Sequence, residues 1–248
     1  MIPRISFIIA TRDRASLIAR TLQSLIDQTE KEWEAVIVDD VPSSDNTEEI
    51  VASFGDIRFR YYKLTPDHGQ GASCARNFAA IEAKASIVAI LDSDDICYPN
   101  RVAVTLKAFD ENPDADVFYA NIDVFEEETG VVRERKTPFT EYSLERIKAG
   151  NFIPHPTVAI KRQVLLDNPY NQFFTIAEDY DLYTRLAKAG KKFIYSKEKI
   201  LKYRIGRDNT SVGVEKEEIT KSFGALVKMI RGWEELNPDV LTIIERRK

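Results

Sequence analysis

Three carboxylates stand within four residues, at Asp92, Asp94 and Asp95, directly behind the apolar run Ser86–Leu91. Like charges this close repel, so the cluster calls for a compensating cation. One acid, Asp94 or Asp95, would suffice to cap the helix that starts near Pro99, and three exceed that need. An extended segment points Asp92 and Asp94 to the same side, and no basic residue adjoins them in the sequence. Oxygen ligands of this kind suit Mg²⁺ or Mn²⁺, and Mg²⁺ is commonly held by one or two carboxylates together with substrate phosphates. The cluster therefore reads as a divalent-metal site facing a diphosphate.

A second acidic pair, Glu178–Asp179, opens the stretch "EDYDLYTRLAKAG". Asp179, Leu182 and Leu186 share one helical face by their i, i+3, i+7 spacing. The leucines seek the core, so Asp179 turns toward the protein body at the helix start, where a general base in a cleft would stand. An acid there also complements the helix dipole, worth ~0.3–1 kcal/mol, a purpose Glu178 or Asp181 would serve equally. Other chemistry is thin. Cys74 and Cys97 form no CxxC pair, and His68 and His155 are the two histidines. Zinc, disulfide and Ser-His or Cys-His chemistry are therefore not expected; the cysteines read as small buried apolar residues. His155, between Pro154 and Pro156, reads as a ligand contact or as a structural residue.

The elements that must carry these groups follow from periodicity. Arg4–Ala10, "WEAVIVDD", "IRFRYYKL" and "SIVAIL" read as strands. Helical patterns over Ala15–Gln28, "SSDNTEEIVASF", Ser73–Lys84 and "YPNRVAVTLKAFDE" alternate with them. That alternation predicts an α/β fold with a mostly parallel central sheet flanked by helices. The second half changes character. "ADVFYANIDVFEE" and "VVRERK" read as a hairpin, "NFIPHPTVAIKRQVLL" as a strand entering a helix, and "KKFIYS" and "KILKYRI" as short strands. We divide the chain into 1–112, 113–213 and a helical tail, 214–248, within one compact unit.

Ligands of open parallel sheets bind beyond the carboxyl ends of the strands. Here those ends carry Thr11-Arg12-Asp13-Arg14, Asp39-Asp40, Gly69 and Gly71 followed by Arg76, and the Asp92 cluster. Each has a plainer use: a cap at Asp39–Asp40, a tight turn at the glycines, a surface helix position for Arg76. Their convergence on one rim argues for a binding site. Gly69-Gln70-Gly71 lacks the third glycine of a dinucleotide fingerprint and follows the wrong strand.

The formal charge of −5 argues against nucleic-acid binding, and 44% hydrophobic residues provide for a core. The N-terminal apolar run, about six residues, is too short for a signal peptide. No stretch approaches the ~18 apolar residues of a membrane span, so a cytoplasmic protein is expected. The tail places Ile219, Phe223, Leu226, Val227 and Ile230 on one side. That face would pack on the domain or lie at a membrane or partner surface.

The ordered set "ATRDRASLIARTLQSLIDQT", "VIVDD…DNT", "GQGASCARN", "LDSDD", "AEDYDLYTRLAKAG" and "YRI…NTS" resembles the family 2 glycosyltransferases, inverting enzymes of the GT-A fold, over about Ser6 to Ser211. The resemblance implies a nucleoside-diphosphate sugar as donor, usually UDP-linked, and a glycan or lipid-linked acceptor. It implies that Thr11 and Asp13 lie beside the nucleotide and that Asp40 holds the base. Gly71 and Arg76 would lie near the ribose or phosphates, and Asp92 near the ribose or donor sugar. Asp94 would bind Mn²⁺ or Mg²⁺, and Asp179 would be the catalytic base. Glu178, His155 and Arg204 are candidate acceptor or donor contacts. Two departures stand out. The turn Val41-Pro42-Ser43-Ser44 is one residue longer than usual, and Gly206 stands where many relatives carry a histidine, which removes a third metal ligand. Two other classes were weighed. A sugar nucleotidyltransferase would need a glycine-rich loop after the first strand, where "TRDRAS" stands instead. A non-catalytic nucleotide or glycan-binding module would bind donor without hydrolysis or transfer.

Overall fold

The computed structural model describes residues 2–40, 43–135, 142–143, 146–147, 150–174 and 176–206. Four apolar strands, β1 (Ile5–Thr11), β2 (Trp33–Asp39), β3 (Phe59–Lys63) and β4 (Ile87–Ile90), pair in parallel in the order β3-β2-β1-β4. β1 and β2 are apolar almost throughout because both faces of the sheet are covered. Ile8, Val36, Val38 and Ile90 pack on one side with Ala75 and Ala79 of α3 (Ala72–Glu82). Phe7, Ile9, Ala35 and Ile37 pack on the other with Ile18, Leu22 and Leu25 of α1 (Ala15–Ile26). The short α2 (Thr47–Ser53) and α4 (Arg101–Glu111) complete this half. A two-residue strand, β5 (Ile96–Cys97), too short to leave a periodic signal, lies between β4 and α4.

The second half extends the same sheet. β6 (Val117–Glu126) and β7 (Val132–Arg135) form the expected antiparallel hairpin. "NFIPHPTVAIKRQVLL" yields a 3₁₀ turn at His155–Thr157, then β8 (Ala159–Lys161) and α5 (Arg162–Asp167). β8 inserts antiparallel between β4 and β6. The two short strands expected near residue 200 are one, β9 (Phe193–Ile205), parallel to β6 with register shifts around Ala120–Ile122. β9 also pairs antiparallel with β5, which brings its end beside the Asp92 cluster. α6 (Glu178–Lys188) carries the second acidic pair. Among the described residues no helix is long and apolar enough to cross a membrane. The "NTS" motif and the tail expected as a helix over 214–248 lie outside the described residues.

Candidate active site

One side of the rim is built by the ends of β1 and β2. Thr11 closes β1, buried, with a hydroxyl that has no partner among the described residues. Asp13 adopts a left-handed backbone at φ 49°, which aspartate tolerates. Its Oδ1 accepts the backbone N–H of Ser44 at 2.7 Å and the Ser44 hydroxyl at 3.0 Å. Asp39 is fully buried. It accepts the Ser43 N–H at 2.7 Å, the Ser43 hydroxyl at 2.9 Å and the Tyr61 hydroxyl at 2.6 Å. Burial and then Asp39 hold the Tyr61 phenol well above its ordinary range. Asp39 therefore shapes the loop, whereas the partly exposed Asp40 accepts the Gly71 N–H at 2.6 Å and fastens the glycine loop to β2. Gly69 and Gly71 both have positive φ, and a Cβ on Gly69 would meet Cys74 Sγ at 2.9 Å.

Arg76 is buried at 6% exposure, which rules out a surface role. Its fork joins both acidic clusters: Nη2 donates to Asp92 Oδ1 at 2.9 Å and Nη1 to Glu178 Oε1 at 2.8 Å. The guanidinium also lies 5.7 Å from the Tyr170 ring centroid. Asn77, the next residue on α3, donates its Nδ2 to the Tyr170 carbonyl and accepts the Tyr170 N–H at its Oδ1, each at 2.9 Å.

Asp92 to Asp95 is a turn in which the Asp95 N–H reaches the Asp92 carbonyl at 3.2 Å. The expectation of an extended segment with no cation nearby is corrected on both counts. Arg76 holds Asp92, and Arg204 Nη1 lies 3.3 Å from Asp94 Oδ2. The backbone N–H of Arg204 donates to Asp95 Oδ1 at 2.8 Å. Burial acts to raise the Asp92 carboxyl, and Arg76 outweighs it, leaving Asp92 below its usual range. Asp94 remains above its usual range, through burial and then the charge of Asp92. Burial, then Asp92 and Asp94, hold Asp95 well above it. Asp95 Oδ2 is buried without a partner among the described residues.

Hard oxygen donors with this surplus of negative charge fit Mg²⁺ or Mn²⁺. Among the described residues no three His, Cys, Asp or Glu side chains are arranged to hold a metal. Asp94 would therefore need phosphate oxygens or water to complete a coordination shell.

Asp179 lies in the first turn of α6, behind Ala177, which is left-handed at φ 62°. Its Oδ2 accepts from Asn151 Nδ2 at 2.7 Å and its Oδ1 from the Tyr180 N–H at 2.8 Å. Burial first, and then the charge of Glu178, push its carboxyl up to about 6. His155 sits behind this group. Its Nδ1 is 2.5 Å from the Tyr183 hydroxyl, and its Nε2 is 3.4 Å from that of Tyr170. Burial and then Arg76 lower it to about 3, so it is neutral.

Arg76, Asp92, Glu178 and Asp179 are thus brought together, with Asp94 on the same turn as Asp92 and Arg204 of β9 against it. Thr11, Asp13, Asp40 and Gly71 line the neighbouring strand ends. Sequence reasoning passed over Asn151, Asn77, Glu127 and Arg20. Asn77 closes the motif "GQGASCARN" and could have been weighed there; the other three have no local signal. Glu127 accepts from Arg20 Nη1 and Nη2 at 2.7 and 2.6 Å and also pairs with Arg204 Nε, which lowers it to about 2 through the Arg20 bonds first.

The profile of Glycosyl transferase family 2 matches residues 6–168. An uncharacterized glycosyltransferase of Methanocaldococcus jannaschii is 30% identical over 88% of this chain and 76% of its own length. The UDP-Glc:alpha-D-GlcNAc-diphosphoundecaprenol beta-1,3-glucosyltransferase WfgD of Escherichia coli is 29% identical over 74% of this chain and 70% of its own. Among solved structures, TarS 1–349 of S. aureus in complex with UDP-GlcNAc superposes with a TM-score of 0.73 at 21% identity, over 92% of this chain and 66% of that one. The mannosyltransferase PcManGT of Pyrobaculum calidifontis, in complex with GDP-Man and Mn²⁺, superposes with a TM-score of 0.66 at 18% identity, over 99% of this chain and 69% of that one. These structural likenesses show the GT-A fold.

Proposed function

The chain belongs to glycosyl transferase family 2 and is a nucleotide-sugar glycosyltransferase, and on that premise we propose an inverting transfer with Asp179 as general base. The donor is a nucleoside-diphosphate sugar, UDP-linked in preference, and the acceptor a hydroxyl of a glycan or a lipid-linked sugar. One observation carries the reading. Asp179, raised to about 6, stands beside Glu178, which Arg76 bridges to Asp92 on the carboxylate turn. A carboxylate poised this close to neutrality is suited to proton abstraction.

The Asp179 carboxylate takes the proton of the acceptor hydroxyl, and Asn151 and the Tyr180 N–H fix its orientation. The hydroxyl oxygen bonds to the anomeric carbon from the face opposite the diphosphate. The old C–O bond breaks, and its electron pair leaves with the nucleoside diphosphate. Asp94 would hold Mn²⁺ or Mg²⁺, which when bound supplies Lewis-acid neutralisation of the diphosphate; a structural relative solved with GDP-Man and Mn²⁺ supports that assignment. Thr11, Asp13, Asp40, Gly71 and Asp92 make up the donor side, with Arg76 anchoring Asp92. Glu178, His155 and Arg204 are the candidate acceptor or donor contacts, held in place by Arg76, the tyrosines and Asp94 respectively.

On this reading residues 1–112 bind the donor and 113–213 the acceptor. WfgD, named for a UDP-Glc donor and a diphosphoundecaprenol acceptor, supports the UDP preference and the lipid-linked option. Two free, buried cysteines suit a cytoplasmic, reducing setting. The test is a panel of nucleoside-diphosphate sugars, with and without Mn²⁺, scored first for thermal stabilisation and then for release of the diphosphate. A ligand at ~100 times its Kd adds ~2.7 kcal/mol. Stabilisation by a UDP-sugar with neither hydrolysis nor transfer to any glycan or lipid-linked acceptor tried would reassign the chain as a binding module.

A further inference from the structure

Arg204 is buried at 5% exposure and is held by acids on two sides. Its Nε pairs with Glu127, and its Nη1 lies 3.3 Å from Asp94 Oδ2. Glu127 is clamped in turn by both Nη atoms of Arg20, at 2.7 and 2.6 Å. The result is a chain of alternating charge, Arg20–Glu127–Arg204–Asp94, running from α1 past the turn of the β6–β7 hairpin to the carboxylate turn. The Asp94 link is longer than the Glu127 link. A charge-assisted N–H···O bond is ordinarily ~2.7–2.9 Å, so Arg204 is held by Glu127 and only leans on Asp94. The Arg204 backbone N–H is bonded to Asp95, so the residue cannot leave the turn, although its guanidinium can shift between the two acids. Arg14 also acts on Asp94 and is the larger of the two positive influences on it.

We propose that Arg204 is a resident counter-ion of Asp94, beside Arg14, in competition with a divalent cation for that carboxylate, and that Glu127 sets its share by drawing the guanidinium away. This rests on the assignment of Asp94 to the metal in the function proposed above. It follows that the free protein takes up metal weakly, because the arriving ion must displace a guanidinium. The nucleoside diphosphate, which brings its own negative oxygens, tips the competition toward the metal. The two acids next to Arg204 then have opposite effects on metal affinity: Asp94 binds the ion, and Glu127 favours it from a distance.

The experiment is a titration of the purified full chain with MnCl₂, free Mn²⁺ being read by its electron paramagnetic resonance signal, in the absence and presence of UDP. Arg204→Gln removes the guanidinium in contact with Asp94, leaving Arg14 in place, and should bind Mn²⁺ more tightly without UDP. Glu127→Gln, at a partly exposed position that is easily folded, releases Arg204 onto Asp94 and should bind Mn²⁺ more weakly. Each shift should reach at least ~10-fold, a modest part of the Coulomb energy of one close charge pair. Arg204→Lys keeps the charge and should stay on the wild-type side of Arg204→Gln. Shifts of the same sign in Arg204→Gln and Glu127→Gln, or none in either, would overturn the proposal and leave Arg204 as a structural brace, with the metal at Asp94 unaffected if wild type binds Mn²⁺ with UDP. Wild type that binds UDP but no Mn²⁺ under any condition would sink the metal assignment and this inference with it.

Discussion

Replacing Asp179 with asparagine should stabilise the protein above pH 6 while it removes transfer. The carboxyl is raised from its ordinary 3.8 to about 6 by burial and by Glu178. That displacement of roughly two units makes ionisation in the folded state cost at most about 3 kcal/mol. The folded state holds this proton more firmly than the unfolded chain. Wild-type stability from this group is therefore full below about pH 4 and is lost as pH rises through about 6. Asparagine carries no charge and does not incur the loss. Its oxygen still accepts from the Tyr180 N–H, but its amide faces the Nδ2 of Asn151, and that mismatch removes part of the gain. A net ~1–2 kcal/mol is expected at pH 8, falling to nothing near pH 4. Urea denaturation of both proteins between pH 4 and pH 8 measures it, beside diphosphate release, which should fall ~10²–10⁴-fold. A variant no more stable than wild type at pH 8, or a gain that does not depend on pH, would show that the carboxyl is not held ionised at a cost. The main support for it as the base would then be gone.

Transfer by the wild type should decline on the acid side with a midpoint near 6. Glu178→Gln, by removing a like charge, should move that limb of the kcat/KM profile to lower pH; a limb that stays put belongs to another group. Asp39→Ala strips three hydrogen bonds from a buried carboxylate and should cost stability, on the order of 1–3 kcal/mol by melting. Asp40→Ala, at the rim, should melt near wild type but lose about 5- to 150-fold in UDP affinity; unchanged calorimetric affinity would limit Asp40 to fastening the glycine loop. Chelation with EDTA should weaken UDP binding by the wild type, and Asp94→Ala should be insensitive to it. Equal wild-type affinities with and without EDTA would remove the metal from the mechanism.

The parallel half of the fold was legible because its strands are buried on both faces, and continuous apolar runs such as "ISFIIAT" and "EAVIVD" announce that directly. The β6–β7 hairpin was legible from its two runs flanking Thr129-Gly130. β9 was misread as two strands because Lys197-Glu198-Lys199 looks like a break. The irregular register of β6 around Asn121 lets the strand pass through it. At the site, the acidic residues were found and their partners were not. Arg76 meets Glu178 across 102 positions, and Arg204 meets Asp94 across 110. No local spacing encodes contacts of that range. For the same reason the Asp92 cluster looked short of positive charge, and Asn151, which orients the proposed base, left no mark in its own neighbourhood.

The insertion of β8 between β4 and β6 means that the sheet is not filled in chain order. β4 ends at Ile90, yet its second neighbour is Ala159–Lys161, which a ribosome adds only after the whole β6–β7 hairpin. At ~5–20 residues per second the delay is on the order of seconds. Throughout it, the open side of Ile87–Ile90 offers unpaired N–H and C=O groups beneath apolar side chains, a template for pairing with another chain. Newly made N-terminal halves are therefore the aggregation-prone species, and crowded polysomes are where they would meet. A chain cut after Asn112 would hold that open edge permanently, so residues 1–112 are better handled in the laboratory with the β8 segment attached.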